Sequence, residues 1–351
     1  MPFETPHDAE IWLIGGYGDV GTKLARRVLD TSGHRIVLAG RNAAKAETAA
    51  ASLGRRARGT ALDASAGLPS DARIVVNFVE ALPPSAAATV VKRGGLYIDA
   101  SADPEYLTRL EAALPSGPGL AVLNAGLTPG LTNVLARDLK EAHPQTRRID
   151  VVLEMGMGRH HGHAAVVWTL AGLGGTYRAR RDGVWRTVAP GRERRQVRFA
   201  PGERPVPAIG FAFSDQVAIA RALDLDEART FLAVAPASTT RLLGLLAGRR
   251  AGAFVARRAD AIARLMAALP PLGPVCTRLL VEAFDGSGTK LGAHAMRSGD
   301  QSDITAAMLA LAVSAGVTTT AHGVRNFDDI VMLDASKTAL EAALPGTAWP
   351  A

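Results

Sequence analysis

The segment that most restricts the fold is an apolar run, Ile11-Trp12-Leu13-Ile14, that passes directly into Gly15-Gly16-Tyr17-Gly18-Asp19-Val20-Gly21. Val20, Leu24, Val28 and Leu29 then recur at helical spacing. A buried strand, a Gly16-x-Gly18-x-x-Gly21 turn and a helix, in that order, open a βαβ unit. Without a β-carbon, such a turn lets backbone N–H groups come close to a pyrophosphate, whose charge is also favoured at a helix N-terminus. The chain has 36 glycines, so the flanking strand and helix carry the argument rather than the pattern alone. Gly16, Tyr17, Gly18, Asp19, Val20 and Gly21 are the expected cradle of a dinucleotide.

The alternation continues downstream. Strands are predicted over 36–39, ending at 61–62, and over 74–79, 96–98 and 120–123, with helices over 43–53, 83–93 and from 104 onward. Continuous apolar strands alternating with helices imply a parallel sheet covered on both faces, an α/β, doubly wound Rossmann domain. After Asn124 the pattern changes. Thr128-Pro129-Gly130 is expected to open a helix through about 140, followed by an apolar strand over 149–155 and an apolar helix over 164–173. Short strands and turns fill 177–206, with Arg181-Asp182-Gly183-Val184 a hairpin turn. Helices are expected over 239–254 and 259–268, and strands over 277–284 and 290–296 flank Asp285-Gly286-Ser287-Gly288. This part reads as a mixed α/β (α+β) substrate domain. At ~100–200 residues per domain the 351 residues hold both parts.

The end of the second strand narrows the cofactor. A site for NAD places an acid there to grip the ribose 2′-hydroxyl. This chain has Ala39-Gly40-Arg41-Asn42, and a guanidinium suits a 2′-phosphate because its planar fork pairs with two oxygens at once. The expected cofactor is NADP, held by Arg41 and Asn42. Asp63, just past the third strand, is placed to accept from the adenine amino group, although the same position is an ordinary helix cap. Asn77 and Phe78, at the end of the fourth strand, and Ser101, after the fifth, lie on the carboxyl edge where parallel sheets bind ligands.

Four segments taken together resemble the saccharopine dehydrogenase-like reductases: 13–21, Leu38-Ala39-Gly40-Arg41-Asn42, Tyr97-Ile98-Asp99-Ala100-Ser101 and Asn124-Ala125-Gly126-Leu127-Thr128-Pro129-Gly130-Leu131-Thr132-Asn133. The match covers roughly the first 140 residues in order and spacing. The resemblance implies an NADP-binding domain over 1–125, a substrate domain over 126–325 whose sheet supports a homodimer, and a segment over 326–351 that packs back on the first domain. It also implies hydride transfer to or from a small molecule, at an imine or amine centre, with Asn124, Thr128, Asn133 and His163 facing the substrate. An enoyl or carbonyl reductase and a non-catalytic NADP-sensing protein are the alternatives. The reductases that make saccharopine carry an aspartate where this chain has Thr128, so the lysine-pathway substrate is not carried across.

His160-His161-x-His163 lies on a glycine-rich turn with no carboxylate or cysteine at ligand spacing, so no metal is expected. His163, nearest the following helix, is the expected catalytic proton donor, because an imidazole titrates near neutrality. The single Cys276 cannot form an internal disulfide, which fits a reducing compartment, and is expected to be a buried small side chain. Residues 1–10 carry Glu4, Asp8 and Glu10 and no apolar run, so no export signal is expected and the location is expected to be cytoplasmic. The stretch 304–321 is too polar to span a bilayer and reads as a buried helix. Forty basic against 33 acidic residues give a net charge of +7. With only six lysines and no reader motif, that balance does not indicate a nucleic-acid partner. The densest cluster, from Arg178 to Arg204, reads as a solvated surface stripe.

Overall fold

The protein is described by a computed structural model over residues 9–158, 162–271 and 273–350. Contacts group it into two compact units, one of 1–134 with 302–343 and one of 135–301 with 344–351.

The first unit is built on β1 (Glu10–Ile14), β2 (Arg35–Gly40), β3 (Ala57–Ala61), β4 (Ile74–Asn77), β5 (Leu96–Asp99) and β6 (Leu120–Leu123). A seventh strand, Gly323–Asn326, pairs with β6, and the spatial order is β6-β5-β4-β1-β2-β3 inward from it. Every pairing in this sheet is parallel. That order is the doubly wound Rossmann order, with its reversal between β1 and β4. Helices α1 (Asp19–Thr31), α2 (Ala43–Ala51), α3 (Pro84–Lys92) and α4 (Pro104–Ala113) make the crossovers. Each buries a stripe, such as Leu24, Ala25 and Val28 of α1, against strands that are apolar on both faces. The apolar stretch near residue 304 is a helix, Gln301–Thr318, which buries Ile304, Met308, Leu309 and Val313. No described helix is long and apolar enough to cross a membrane.

The predicted helix start at Thr128 is displaced to Thr132, where α5 (Thr132–Ala142) begins. Thr128 (φ −147°, ψ 97°) is extended, as expected before a proline, and Gly130 has φ 132°.

The second unit carries β7 (Arg148–Gly156), β8 (Tyr177–Arg181), β9 (Val184–Val188), β10 (Arg194–Val197), β11 (Val206–Gly210), β12 (Glu227–Ala235), β13 (Thr277–Phe284) and β14 (Lys290–Ser298). Six of these form a mixed sheet in the order β10-β11-β12-β7-β13-β14, and β8 and β9 form a separate hairpin turning at Asp182-Gly183. Its helices are α6 (His163–Gly172), α7 (Asp215–Ala222), α8 (Ala237–Leu246), α9 (Arg250–Arg257) and α10 (Ala259–Ala268). The single helix predicted over 239–254 is thus two. The break is Gly248, whose φ of +67° is left-handed and where a β-carbon would lie 2.8 Å from the Pro190 carbonyl.

Most of the Arg178–Arg204 stripe is solvated, with Arg178, Arg186, Arg192, Arg194, Arg198 and Arg204 exposed, but two of its members turn inward. Arg181 is 7% exposed and bonded to Glu193 through Nε and Nη2. Arg195 reaches across the sheet to Asp150 (2.9 Å) and Glu282 (2.6 Å), both buried. These arginines lie on strands, where alternate residues point inward. Cys276 is half-buried, and its desolvation pushes the thiol pKa up.

Candidate functional site

The turn after β1 shows a separate need for each glycine. Gly16 donates to the Leu13 carbonyl (3.0 Å), and a β-carbon on it would sit 2.4 Å from Leu13 Cβ. Gly21 lies against that turn, so a β-carbon there would sit 2.4 Å from the Gly16 carbonyl oxygen. At Gly18 the nearest atom to an added β-carbon is the Gly15 oxygen at 3.5 Å. Two glycines are therefore required by packing, whereas Gly18, which is exposed, leaves the backbone open to a ligand. Gly18 is also the N-cap of α1 and provides no side-chain cap, which is the arrangement that receives an anion at a helix start. Tyr17 leans over Gly40, where a β-carbon would lie 2.3 Å from its ring. Val20 is half-buried, and Asp19 pairs with Lys23 (3.4 Å), which also binds Ser302 and Asp303.

Arg41 is exposed at the carboxyl end of β2. Asn42 caps α2, its Oδ1 accepting from Lys45 N at 2.9 Å. Asp63 caps a single turn of 3-10 helix, Ala64–Ala66, accepting from Ser65 N (3.0 Å) and Oγ (2.7 Å). Those bonds hold its carboxyl below the usual range, with a smaller pull from Arg41.

Asn77 is fully buried. Its Nδ2 donates to the Val79 carbonyl, Asp99 Oδ2 and Tyr106 Oη at 3.0 to 3.1 Å. Asp99 also accepts from Tyr97 Oη through Oδ2 and from Ser101 N through Oδ1. Burial pushes Asp99 up, and burial together with the Asp99 charge pushes Tyr97 well up. No contiguous motif marks this Tyr97–Asp99–Asn77–Tyr106 network, whose members come from β4, β5 and α4. The available signal was the spacing of Tyr97 and Asp99, two residues apart on one strand face. Phe78 is half-buried and donates to the Ile14 carbonyl. Ser101 is buried and donates from Oγ to Glu80 Oε1 (3.0 Å).

Past β6, Asn124 adopts φ 56° and donates to Asn326 Oδ1 (2.7 Å). Asn133 is 1% exposed, and its Oδ1 accepts from Gly130 N at 3.1 Å. Thr128 Oγ1 and Asn133 Nδ2 are buried with no hydrogen-bond partner among the described residues. Unsatisfied buried donors are uncommon and call for a partner. The first unit thus gathers the glycine turn, Arg41, Asn42, Asp63, Asn77, Phe78, Ser101 and Asn124 at the carboxyl ends of its strands, with Thr128 and Asn133 in the following turn.

His163 belongs to the second unit, as the first residue of α6. Its Nε2 meets Asp260 Oδ1 at 2.9 Å, and Arg264 holds the other carboxylate oxygen. Asp260 is 97 residues away in sequence, and no local pattern points to it. His160 and His161 lie outside the described residues.

No family profile matches this chain, and no curated protein does. Among solved structures, the chain is similar to an apo histidine-tagged saccharopine dehydrogenase (L-Glu forming) from Saccharomyces cerevisiae. The two share 11% identity and a TM-score of 0.63 over 98% of this chain and 100% of that one. A myo-inositol dehydrogenase from Corynebacterium glutamicum ATCC 13032 aligns over the same shares of both chains at 12% identity and a TM-score of 0.43. At 11% identity the yeast likeness is one of fold: a parallel Rossmann sheet joined to a second, mixed sheet.

Proposed function

We propose that the chain is an NADP(H)-dependent oxidoreductase that passes a hydride between the nicotinamide and a small molecule, at an imine or amine centre. The observation that carries this reading is the division of labour among the three glycines, with Gly16 and Gly21 held by packing and Gly18 left open. Arg41, in the place an NAD site gives to an acid, supports the choice of NADP. In this reading the first turn of α1, with Tyr17 beside it, receives the pyrophosphate. Arg41 and Asn42 bind the 2′-phosphate, and Asp63 the adenine. Asn77 and Ser101 hold the ends of β4 and β5 in place under Phe78 and the nicotinamide ribose. The bound cofactor supplies the hydride. The unpartnered Thr128 Oγ1 and Asn133 Nδ2 support a substrate contact there, together with Asn124. His163 would exchange the proton, and Asp260 would fix its ring.

Thr128 also favours a second reading, reduction of a carbonyl or an activated C=C bond. A neutral hydroxyl stands where the saccharopine-forming reductases use a carboxylate toward an amino group.

Titration with NADPH and NADH tests the first reading. NADPH should bind about 10–100-fold tighter, the worth of one charge-assisted fork, and Arg41→Ala should erase most of the difference. Equal affinities would overturn the assignment of NADP. A panel of imines, enones and carbonyl compounds with NADPH, and of amino acids, opines and alcohols with NADP, then separates the reactions. Binding without turnover across that panel would favour a sensor.

A further inference from the structure

In the second unit, three consecutive helices carry large apolar side chains on their outer surfaces. Leu242 and Leu245 of α8 are 55% and 62% exposed, Phe254 of α9 is 54% exposed, and Leu265 of α10 is 63% exposed. Scattered exposed apolar residues are ordinary, but these fall within 24 residues of chain on helices that pack α8 on α9 and α9 on α10. The charge of the same three helices is one-sided: residues 237–268 contain six arginines and one acidic residue, Asp260, which pairs with Arg264. Arg249 is used to close α8, its Nη1 bonding to the Gly244 and Leu245 carbonyls. Arg258 stacks over the Phe254 ring at 5.5 Å. Arg241, Arg250 and Arg257 are exposed and have no acidic partner among the described residues. Each apolar side chain on α8 and α9 is thus flanked by a long cation that can extend past it.

We propose that the α8–α9–α10 surface docks on an anionic lipid bilayer. Leucine and phenylalanine would enter the headgroup boundary, while the arginines meet lipid phosphates on either side. Charge decides among the possible occupants. A second copy meeting this surface about a twofold axis would oppose two segments that each set six arginines against the single Asp260, which repel. A nucleic acid would satisfy the arginines but leave the leucines uncovered. A bilayer of negative surface charge satisfies both.

Sedimentation of the full chain with vesicles tests this, using phosphatidylcholine alone and phosphatidylcholine mixed with phosphatidylglycerol. Binding to the mixed vesicles should exceed binding to the neutral ones by at least about tenfold and should weaken as salt is raised. Leu245→Glu with Phe254→Glu, and separately Arg241→Ala with Arg250→Ala and Arg257→Ala, should each remove most of it. These substitutions are at exposed positions, and an unchanged melting temperature in each variant checks that the fold is kept. Equal binding to both vesicle types, or binding to neither, overturns the proposal. So does a concentration-dependent dimer that Phe254→Glu dissociates, which would assign the surface to a second copy, or binding to RNA that outlasts both leucine and phenylalanine replacement.

Discussion

Tyr97 donates its hydroxyl to Asp99 Oδ2 inside the carboxyl edge of the first sheet, and both side chains are fully buried. Tyr97, Asn77 and the Ser101 amide all donate to Asp99, which offsets part of the cost of burying its carboxyl. Tyr97→Phe should cost about 1–3 kcal/mol in urea denaturation, since it removes one donor from a buried carboxylate. The pH dependence has a definite sign. Burial raises Asp99 above its ordinary 3.8 in the folded state, so the folded protein takes up this proton before the unfolded chain does. The stability that Asp99 adds is complete below that ordinary value and is lost as pH rises through the raised one. The stability of the wild type relative to Asp99→Asn should therefore increase as pH falls from neutral toward 4. A difference that stays flat over that range would show that Asp99 is not raised.

The glycine turn gives a contrast between two alanine substitutions. At Gly18 an added methyl meets nothing closer than 3.5 Å, so Gly18→Ala should fold with an unchanged melting temperature. Its methyl would nevertheless stand where the pyrophosphate approaches, and NADPH affinity should drop by about tenfold or more. At Gly21 the methyl would meet the Gly16 carbonyl at 2.4 Å, and Gly21→Ala should cost about 1–3 kcal/mol of stability even without cofactor. Thermal melts beside fluorescence titrations separate the two effects.

Much of this was legible in local pattern. The apolar runs of β1, β2, β4 and β5 and the turns at Asp182-Gly183 and Asp285-Gly288 are written in contiguous residues, and the parallel sheet follows from their alternation with helices. What the sequence hid depends on distance along the chain. Gly323–Asn326 joins the first sheet beside β6, some 200 residues earlier, and its four residues include Arg and Asn. Gly244, Gly248 and Gly252 recur every four residues, yet only Gly248 takes a left-handed φ, because only there does the chain leave a helix. Within the candidate site, the cofactor residues follow one another at strand ends, whereas Asp260 reaches His163 only through the packing of α6 on α10.

Arg195 tests how the second sheet tolerates its buried charges. The guanidinium lies between Asp150 and Glu282, which are 4% and 6% exposed, and over the Phe231 ring at 5.6 Å. Without the guanidinium, Asp150 keeps only Arg148 (3.4 Å) and Glu282 only Lys290 (3.0 Å), so each buried carboxylate loses one of its two cations. Arg195→Ala should cost about 1–3 kcal/mol by urea denaturation. Arg186→Ala, whose pair with Asp182 is exposed on both sides, should cost less than about 1 kcal/mol. Equal losses in the two variants would show that the buried partners are solvated in solution.

His163 and Asp260 bear on the proton-transfer step once a substrate is found. If His163 moves the proton, His163→Gln should lower kcat by about 10²–10⁴-fold with little change in NADPH affinity. Asp260 does not itself exchange the proton in this arrangement; it fixes the imidazole through Nε2, with Arg264 steadying its other oxygen. Asp260→Asn should therefore reduce kcat by a smaller factor, about three- to tenfold, because an amide can still orient the ring. The double variant should be no worse than His163→Gln alone, since the aspartate acts only through the histidine. Steady-state NADPH oxidation by the three variants decides it. An unchanged kcat in His163→Gln would move proton transfer to another group, with the unpartnered Thr128 hydroxyl the first to examine.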